Sequence, residues 1–167
     1  MQVRTKVKAG GSALAIVTGA LIATVLLGFV SPAEAQQCSE GRSAGYYAFT
    51  LSGVVILPTG PVPIAGVGTA TLDSTGKVTG TESRSVGGDF ADETLTGTYT
   101  VNSNCTGTAT LQFYESGQLV RTSVLSLIFD SNEEAFRMAQ QSLELPNGTF
   151  LPVVATVEGK RIFTNKD

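Results

Sequence analysis

The sequence predicts an all-β protein, a single antiparallel up-and-down β-barrel of about eight strands in meander order. Three observations carry this. Apolar residues alternate with threonine and serine over most of the chain, a period of two that places them on opposite faces of extended segments. Turn signals separate these segments at short intervals, so the links are of hairpin length. Glycines and aromatic residues share the apolar faces, as strongly bent sheets require, and closure removes the exposed edges that a threonine-rich sheet would otherwise present.

The first element is not part of the barrel. Arg4, Lys6 and Lys8 precede an uncharged run from Ala13 to Val30, and Ala33-Glu34-Ala35 follows. Basic, apolar, then Ala-x-Ala is the order of a secretory signal cleaved after Ala35, so residues 1–35 are expected to be removed and 36–167 to form the barrel domain. Retained, the same run would be long enough to cross a bilayer. Nothing after it is, so no integral membrane segment is expected in the mature chain, which is assigned to a secreted or periplasmic location.

The strands follow in order. Tyr47, Phe49, Leu51 and Gly53 share one face and Ala48, Thr50 and Ser52 the other. The proline-rich LPTGPVP stretch reads as a turn, and AGVGTATL as the second strand, ended by Asp73-Ser74-Thr75-Gly76. KVTGTESRSV is the third. Leu95, Gly97, Tyr99 and Val101 face away from Thr94, Thr96, Thr98 and Thr100. After an Asn-Ser-Asn break, Gly107, Ala109, Leu111 and Phe113 continue an apolar face, which makes a hairpin. LVRTSVLSLIF, residues 119–129, is the most apolar stretch. Residues 133–145, EEAFRMAQQSLEL, have the composition of a helix that Ser131 or Asn132 could cap. A strand would group Phe136, Met138 and Gln140, a helix Phe136, Ala139 and Leu143; the strand is favoured. FLPVVATVEGKRI closes the count.

Two cysteines, Cys38 and Cys105, lie beyond the signal, and an even count in an exported chain is expected to pair. Such a bridge would staple the N-terminal tail to the turn between two strands and restrict the unfolded chain by about 4 kcal/mol in the loop-entropy picture. Without histidine or a C-x-x-C spacing, no metal site and no cofactor are expected.

The pattern GYYAFTLSG, VGTATLDSTGKVTGTES and LTGTYTVNSNCTGTATL resembles a group of small exported bacterial proteins that share a G-x-Y-x-F, D-x-x-G-x-V-x-G and G-x-Y-x-V-N-x-x-C-x-G scheme, from Cys38 to about Gly159. That resemblance implies no activity. More loosely, the meander is similar to lipocalins and to barrels of the allene oxide cyclase type. The lipocalin G-x-W signature would fall at Gly45-Tyr46-Tyr47, with tyrosine in place of tryptophan.

Charge narrows the function. Residues 36–167 carry eight basic and thirteen acidic side chains, a net charge of −5 with no basic cluster, which argues against nucleic acid or an anionic membrane surface as partner. An eight-strand interior either fills with side chains or holds one small ligand. Where the interior is not filled, the expected partner is a small, mostly apolar molecule in the lumen. Tyr47, Phe49, Glu82, Arg84, Tyr99 and Phe113 are the lumen candidates, with Phe136 and Ile128 as further side chains that could fill it. Glu82 and Arg84 enter because they share a face with Val78, Gly80 and Val86, where two charges must be paired or touch a polar ligand; if Thr79, Thr81, Ser83 and Ser85 faced inward instead, both charges would be solvated.

Two other functions fit the composition. A hydroxyl-rich, weakly charged module with one bridge would suit a structural surface component. A lumen isomerase or cyclase acting on a lipid-like molecule, as the cyclase-type resemblance implies, would draw on Glu82, Asp73 or Glu93 as acids and on Tyr47 or Tyr99 as donors. No nucleophile elbow, H-E-x-x-H or phosphate loop is present, and catalytic residues are expected to be absent. Asp73-Ser74-Thr75-Gly76 is a turn.

Overall fold

The computed structural model describes residues 37–162, so the signal assigned to residues 1–35 lies outside the described residues. A single helical turn, α1 (Glu40–Ser43), precedes eight strands: β1 (Gly45–Leu57), β2 (Gly60–Leu72), β3 (Lys77–Val86), β4 (Asp89–Val101), β5 (Thr106–Glu115), β6 (Gln118–Phe129), β7 (Ala135–Glu144) and β8 (Val153–Arg161). Each strand pairs antiparallel with the next and β8 returns to β1, which closes the barrel in meander order. Among the described residues no helix is long and apolar enough to cross a membrane.

Residues 135–144 are strand, not helix, because their neighbours decide the matter. Phe136 packs inward against Tyr47 and Phe129, with ring centroids 5.4 and 5.9 Å away. A bulge between Val124 and Leu125 in the β6–β7 register then brings Leu143 to the same buried face.

The proline-rich stretch holds the predicted turn, but the turn is tighter than its composition suggests, only residues 58–59. β1 runs on to Leu57 and β2 starts at Gly60, so Pro61 and Pro63 lie within a strand. They fit because β3 pairs with β2 only from Ile64 onward, so the sides of the two prolines away from β1 face no strand. There the Pro63 carbonyl accepts from Gly87 N at 2.9 Å, and the missing N–H breaks no ladder. The last strand begins at Val153, later than its sequence suggests. Phe150 makes only an isolated bridge to Glu144, and residues 145–152 fold back on β7, with Leu151 N donating to Leu143 O at 2.9 Å.

The outer wall is the hydroxyl face. Thr79 and Thr81 are exposed, and Thr69 and Thr81, like Thr100 and Thr108, meet side by side across adjacent strands at 3.3 and 3.2 Å. Ile128 also points outward, being more than half exposed, because Leu127 and Phe129 on either side of it hold the inward positions. It does not fill the lumen.

The end where the odd-numbered strands begin is plugged. Cys38 and Cys105 form the expected disulfide, joining the segment before α1 to the β4–β5 turn. α1 then crosses the barrel end. Tyr99 donates from its hydroxyl to the carbonyls of Glu40 and Asp73, at 3.0 and 2.8 Å. Glu133, fully buried in the β6–β7 link, accepts from Arg42 Nε and Ser43 Oγ at 2.6 Å each. The opposite end, at the β1–β2, β3–β4, β5–β6 and β7–β8 links, is the mouth.

Candidate functional site

Inside the wall, a cavity of about 320 Å³ runs from Leu72, Val78 and Tyr99 near the plug to Leu57, Val86 and Leu151 at the mouth. Its walls are aliphatic and aromatic, with a small polar group at one side. Such a volume lies at the low end of small-molecule sites, whose walls are also mainly apolar with a few placed polar groups.

The polar group is built by register. Glu82 of β3 stands opposite Glu93 of β4. Arg121 of β6 stands opposite Phe113 of β5, and its guanidinium carbon lies 3.7 Å from the centroid of that ring. Arg121 donates from Nη2 to Glu82 Oε2 at 2.8 Å and from Nη1 to Glu93 Oε2. Arg84 donates from Nε to Glu93 Oε1 at 2.5 Å, and its Nη2 lies 3.7 Å from Glu115 at the rim. Two carboxylates and two guanidiniums thus form a neutral quartet, in which the side chains of Glu82 and Glu93 are 2% and 0% exposed. Nearby, Gln140 donates from Nε2 to Ser123 Oγ at 2.8 Å, also at the cavity wall.

One atom of this quartet lacks a partner. Glu82 Oε1 is buried and accepts no hydrogen bond within the protein. It sits over Gly66 of β2, where a Cβ would come within 2.7 Å of it, so the glycine makes the room it occupies. Burial pushes the Glu82 carboxyl above its ordinary range, opposed by the charge of Arg121 and reinforced by that of Glu93.

Of the lumen candidates, Phe49, Glu82, Arg84, Tyr99 and Phe113 all line the cavity. Tyr47 does not. It is buried at the plug, where its hydroxyl donates to the carbonyls of Ser43 and Glu133 at 2.8 Å each and accepts from Arg161 Nη2 at 2.9 Å. Burial raises the hydroxyl pKa of both Tyr47 and Tyr99. Since both hydroxyls are committed to backbone carbonyls, neither is poised as a donor to a reacting molecule.

Asp73 likewise leaves the set of candidate acids. Its Oδ1 accepts from Lys77 N, Thr75 N and Thr75 Oγ1 at 2.8–2.9 Å, and these bonds, that of Lys77 first, hold its carboxyl below the usual range. It is a turn residue at the plug end. Among the described residues no group of three or more histidine, cysteine, aspartate or glutamate side chains is placed to hold a metal ion.

No protein-family model, curated protein or solved structure matches the chain.

Arg121 is the member that the sequence reading misses, and it holds the quartet together. The signal was present, since Arg121 keeps step with Ser123, Leu125, Leu127 and Phe129 on the inward face of β6. Glu93 is placed in the sequence as an isolated acid, without its partners. Arg161 and Glu133, which tie the plug, have no sequence motif; Glu133 adopts a positive φ of 58° in a link whose conformation composition does not reveal.

Proposed function

We propose that the protein is an exported carrier that binds one small, mostly apolar molecule in the barrel lumen. The observation that carries the reading is the cavity of about 320 Å³, apolar along its length and reaching the mouth, with a polar group at one side. A barrel needed only as a rigid module gains nothing from an unfilled lumen, because each missing contact lowers stability. At about 30 Å³ per non-hydrogen atom, the density of liquid water, the space suits on the order of ten such atoms.

Export is supported by the basic–apolar–Ala-x-Ala order at the N-terminus and by the Cys38–Cys105 bridge, which an oxidising compartment favours. The plug gives the carrier its polarity, since a ligand would enter at the mouth and meet a closed floor.

Native mass spectrometry of the protein from cells that export it tests this reading. A discrete added mass that disappears on denaturation is expected, on a chain that starts at Gln36 and weighs 2 Da less than its reduced form. A bare chain that also takes up no apolar molecule when supplied in excess would overturn the carrier reading and favour a structural module.

A further inference from the structure

We propose that the lumen selects a neutral carbonyl compound, a ketone or ester of about ten non-hydrogen atoms whose oxygen accepts hydrogen bonds from Arg84 and Arg121. This rests on the carrier reading and names the head group that the cavity takes. It starts from what the quartet shows to the lumen. The side chains of Arg84 and Arg121 are 17% and 12% exposed, whereas those of Glu82 and Glu93 are 2% and 0%. Both arginines line the cavity, and a guanidinium donates without accepting, so the accessible polar surface of the quartet consists of donors.

Some of those donors are unused. Arg121 commits Nη1 to Glu93 and Nη2 to Glu82, and Arg84 commits Nε to Glu93, so Arg121 Nε and Arg84 Nη1 have no partner within the protein. Among the described residues the buried side-chain atoms without a partner are Glu82 Oε1 and Arg161 Nε, so these two arginine donors remain accessible. The guanidiniums also stand side by side, since each bonds to a different oxygen of the same carboxylate, Glu93. A carbonyl oxygen, with two lone pairs and no proton, suits such a pair, and an apolar tail then fills the cavity along Phe49, Leu95, Leu125 and Leu127.

The other head groups fit less well. A carboxylate also only accepts, but it would bring a third negative charge beside Glu82 and Glu93, with Glu115 a further one 3.7 Å from Arg84 Nη2. The arginine charges are already balanced, so nothing offsets the cost of burying that ion. An ammonium would turn donors towards donors. An alcohol accepts in the same place, but its own O–H then needs an acceptor. In the quartet Glu82 Oε2 and both oxygens of Glu93 are bonded, and Glu82 Oε1 is buried. A hydrocarbon leaves both donors as they are.

The experiment compares nonan-2-one with decane, nonan-1-ol, octanoate and nonylamine, matched in size, by equilibrium dialysis at neutral pH. Two double variants each remove one ion pair whole and leave the lumen neutral: Arg121→Met with Glu82→Leu, and Arg84→Met with Glu93→Leu. Nonan-2-one should bind more tightly than the alcohol and either ion. In each variant its affinity relative to decane should fall about tenfold to a hundredfold, the range for a hydrogen bond to a charged group. Nonan-2-one labelled with ¹³C at the carbonyl gives a readout in the parent protein should a variant fail to fold, and its bound signal should lie downfield of its signal in liquid decane. Tighter binding of the alcohol, octanoate or nonylamine, a ratio to decane that survives either double variant, or a bound signal at the position seen in decane would overturn the carbonyl assignment and leave the carrier reading standing. Failure of all five to bind a lumen that native mass spectrometry finds empty would overturn both.

Discussion

Arg121→Met should be among the most damaging single substitutions in the barrel, and pairing it with Glu82→Leu should repair most of the damage. Arg121 bonds to two carboxylates that are 98% and 100% buried at the side chain, and Glu82 has no other ion-paired partner among the described residues. Methionine fills similar space over the Phe113 ring but leaves Glu82 as an uncompensated charge and Glu93 with Arg84 alone. Breaking a buried pair from one side costs about 3–5 kcal/mol. For a barrel of this size that lowers the melting temperature by about 10–20 °C. Replacing both members leaves the Arg84–Glu93 pair intact and the lumen neutral, and an apolar substitute for a whole buried pair is neutral or stabilising. The double variant should therefore stand about 2–4 kcal/mol above Arg121→Met alone. Urea unfolding with the disulfide intact, followed by circular dichroism because the chain has no tryptophan, measures both differences provided the slope with denaturant stays constant. A single variant within about 1 kcal/mol of the parent, or a double variant less stable than the single, would refute the reasoning that Arg121 neutralises the buried acids.

Replacing Cys38 and Cys105 together by serine should lower stability by about 2–5 kcal/mol in the same unfolding assay, and an unchanged midpoint would show that the bridge does not hold the plug. Gly159→Ala would set a Cβ 2.1 Å from the Phe136 ring, which is buried against Tyr47 and Phe129, so a loss of about 1–3 kcal/mol from overpacking is expected; a neutral outcome would mean that the ring can move freely. Glu82 holds its proton to higher pH in the folded than in the unfolded chain, so between the ordinary value of 4.5 and its raised native value unfolding releases a proton. Its contribution to stability is then greatest at low pH and falls as pH rises through that window. Glu82→Gln should remove this slope from the stability–pH profile, and identical profiles for variant and parent would contradict the raised proton affinity.

Much of the wall was legible because threonine and serine alternate with glycine and large apolar residues at a period of two, and closure forces every strand to keep one face inward. That is why Glu82 and Arg84 were lumen candidates on the face of Val78, Gly80 and Val86, although the sequence alone left open that Thr79, Thr81, Ser83 and Ser85 faced inward instead. Their partners could not be found in the same way, because the contacts of Glu82 and Glu93 with Arg121 span 39 and 28 residues, and only the barrel's curvature brings β6 across to β3 and β4. Pro61 and Pro63 misled because proline breaks a strand only where a neighbour needs its N–H, and the extent of β3 is not a local property. Tyr47 misled for a related reason. Its inward direction was read correctly, but which end of the lumen the N-terminal segment fills depends on a bridge between residues 67 apart.

The plug also decides where the described chain comes and goes. β1 begins and β8 ends at that same end, as antiparallel neighbours with Tyr47 opposite Arg161, and Ile162 N bonds to Tyr46 O at 2.8 Å. A short peptide could therefore join the two ends of the barrel, and the chain could be reopened at a mouth hairpin such as the one at Gly117, giving a circularly permuted molecule with the same wall. Anchored to a sensor surface or to another protein by its C-terminal end, the unpermuted barrel would present its mouth away from the support, so that whatever it takes up could be followed without the anchor obstructing the entrance.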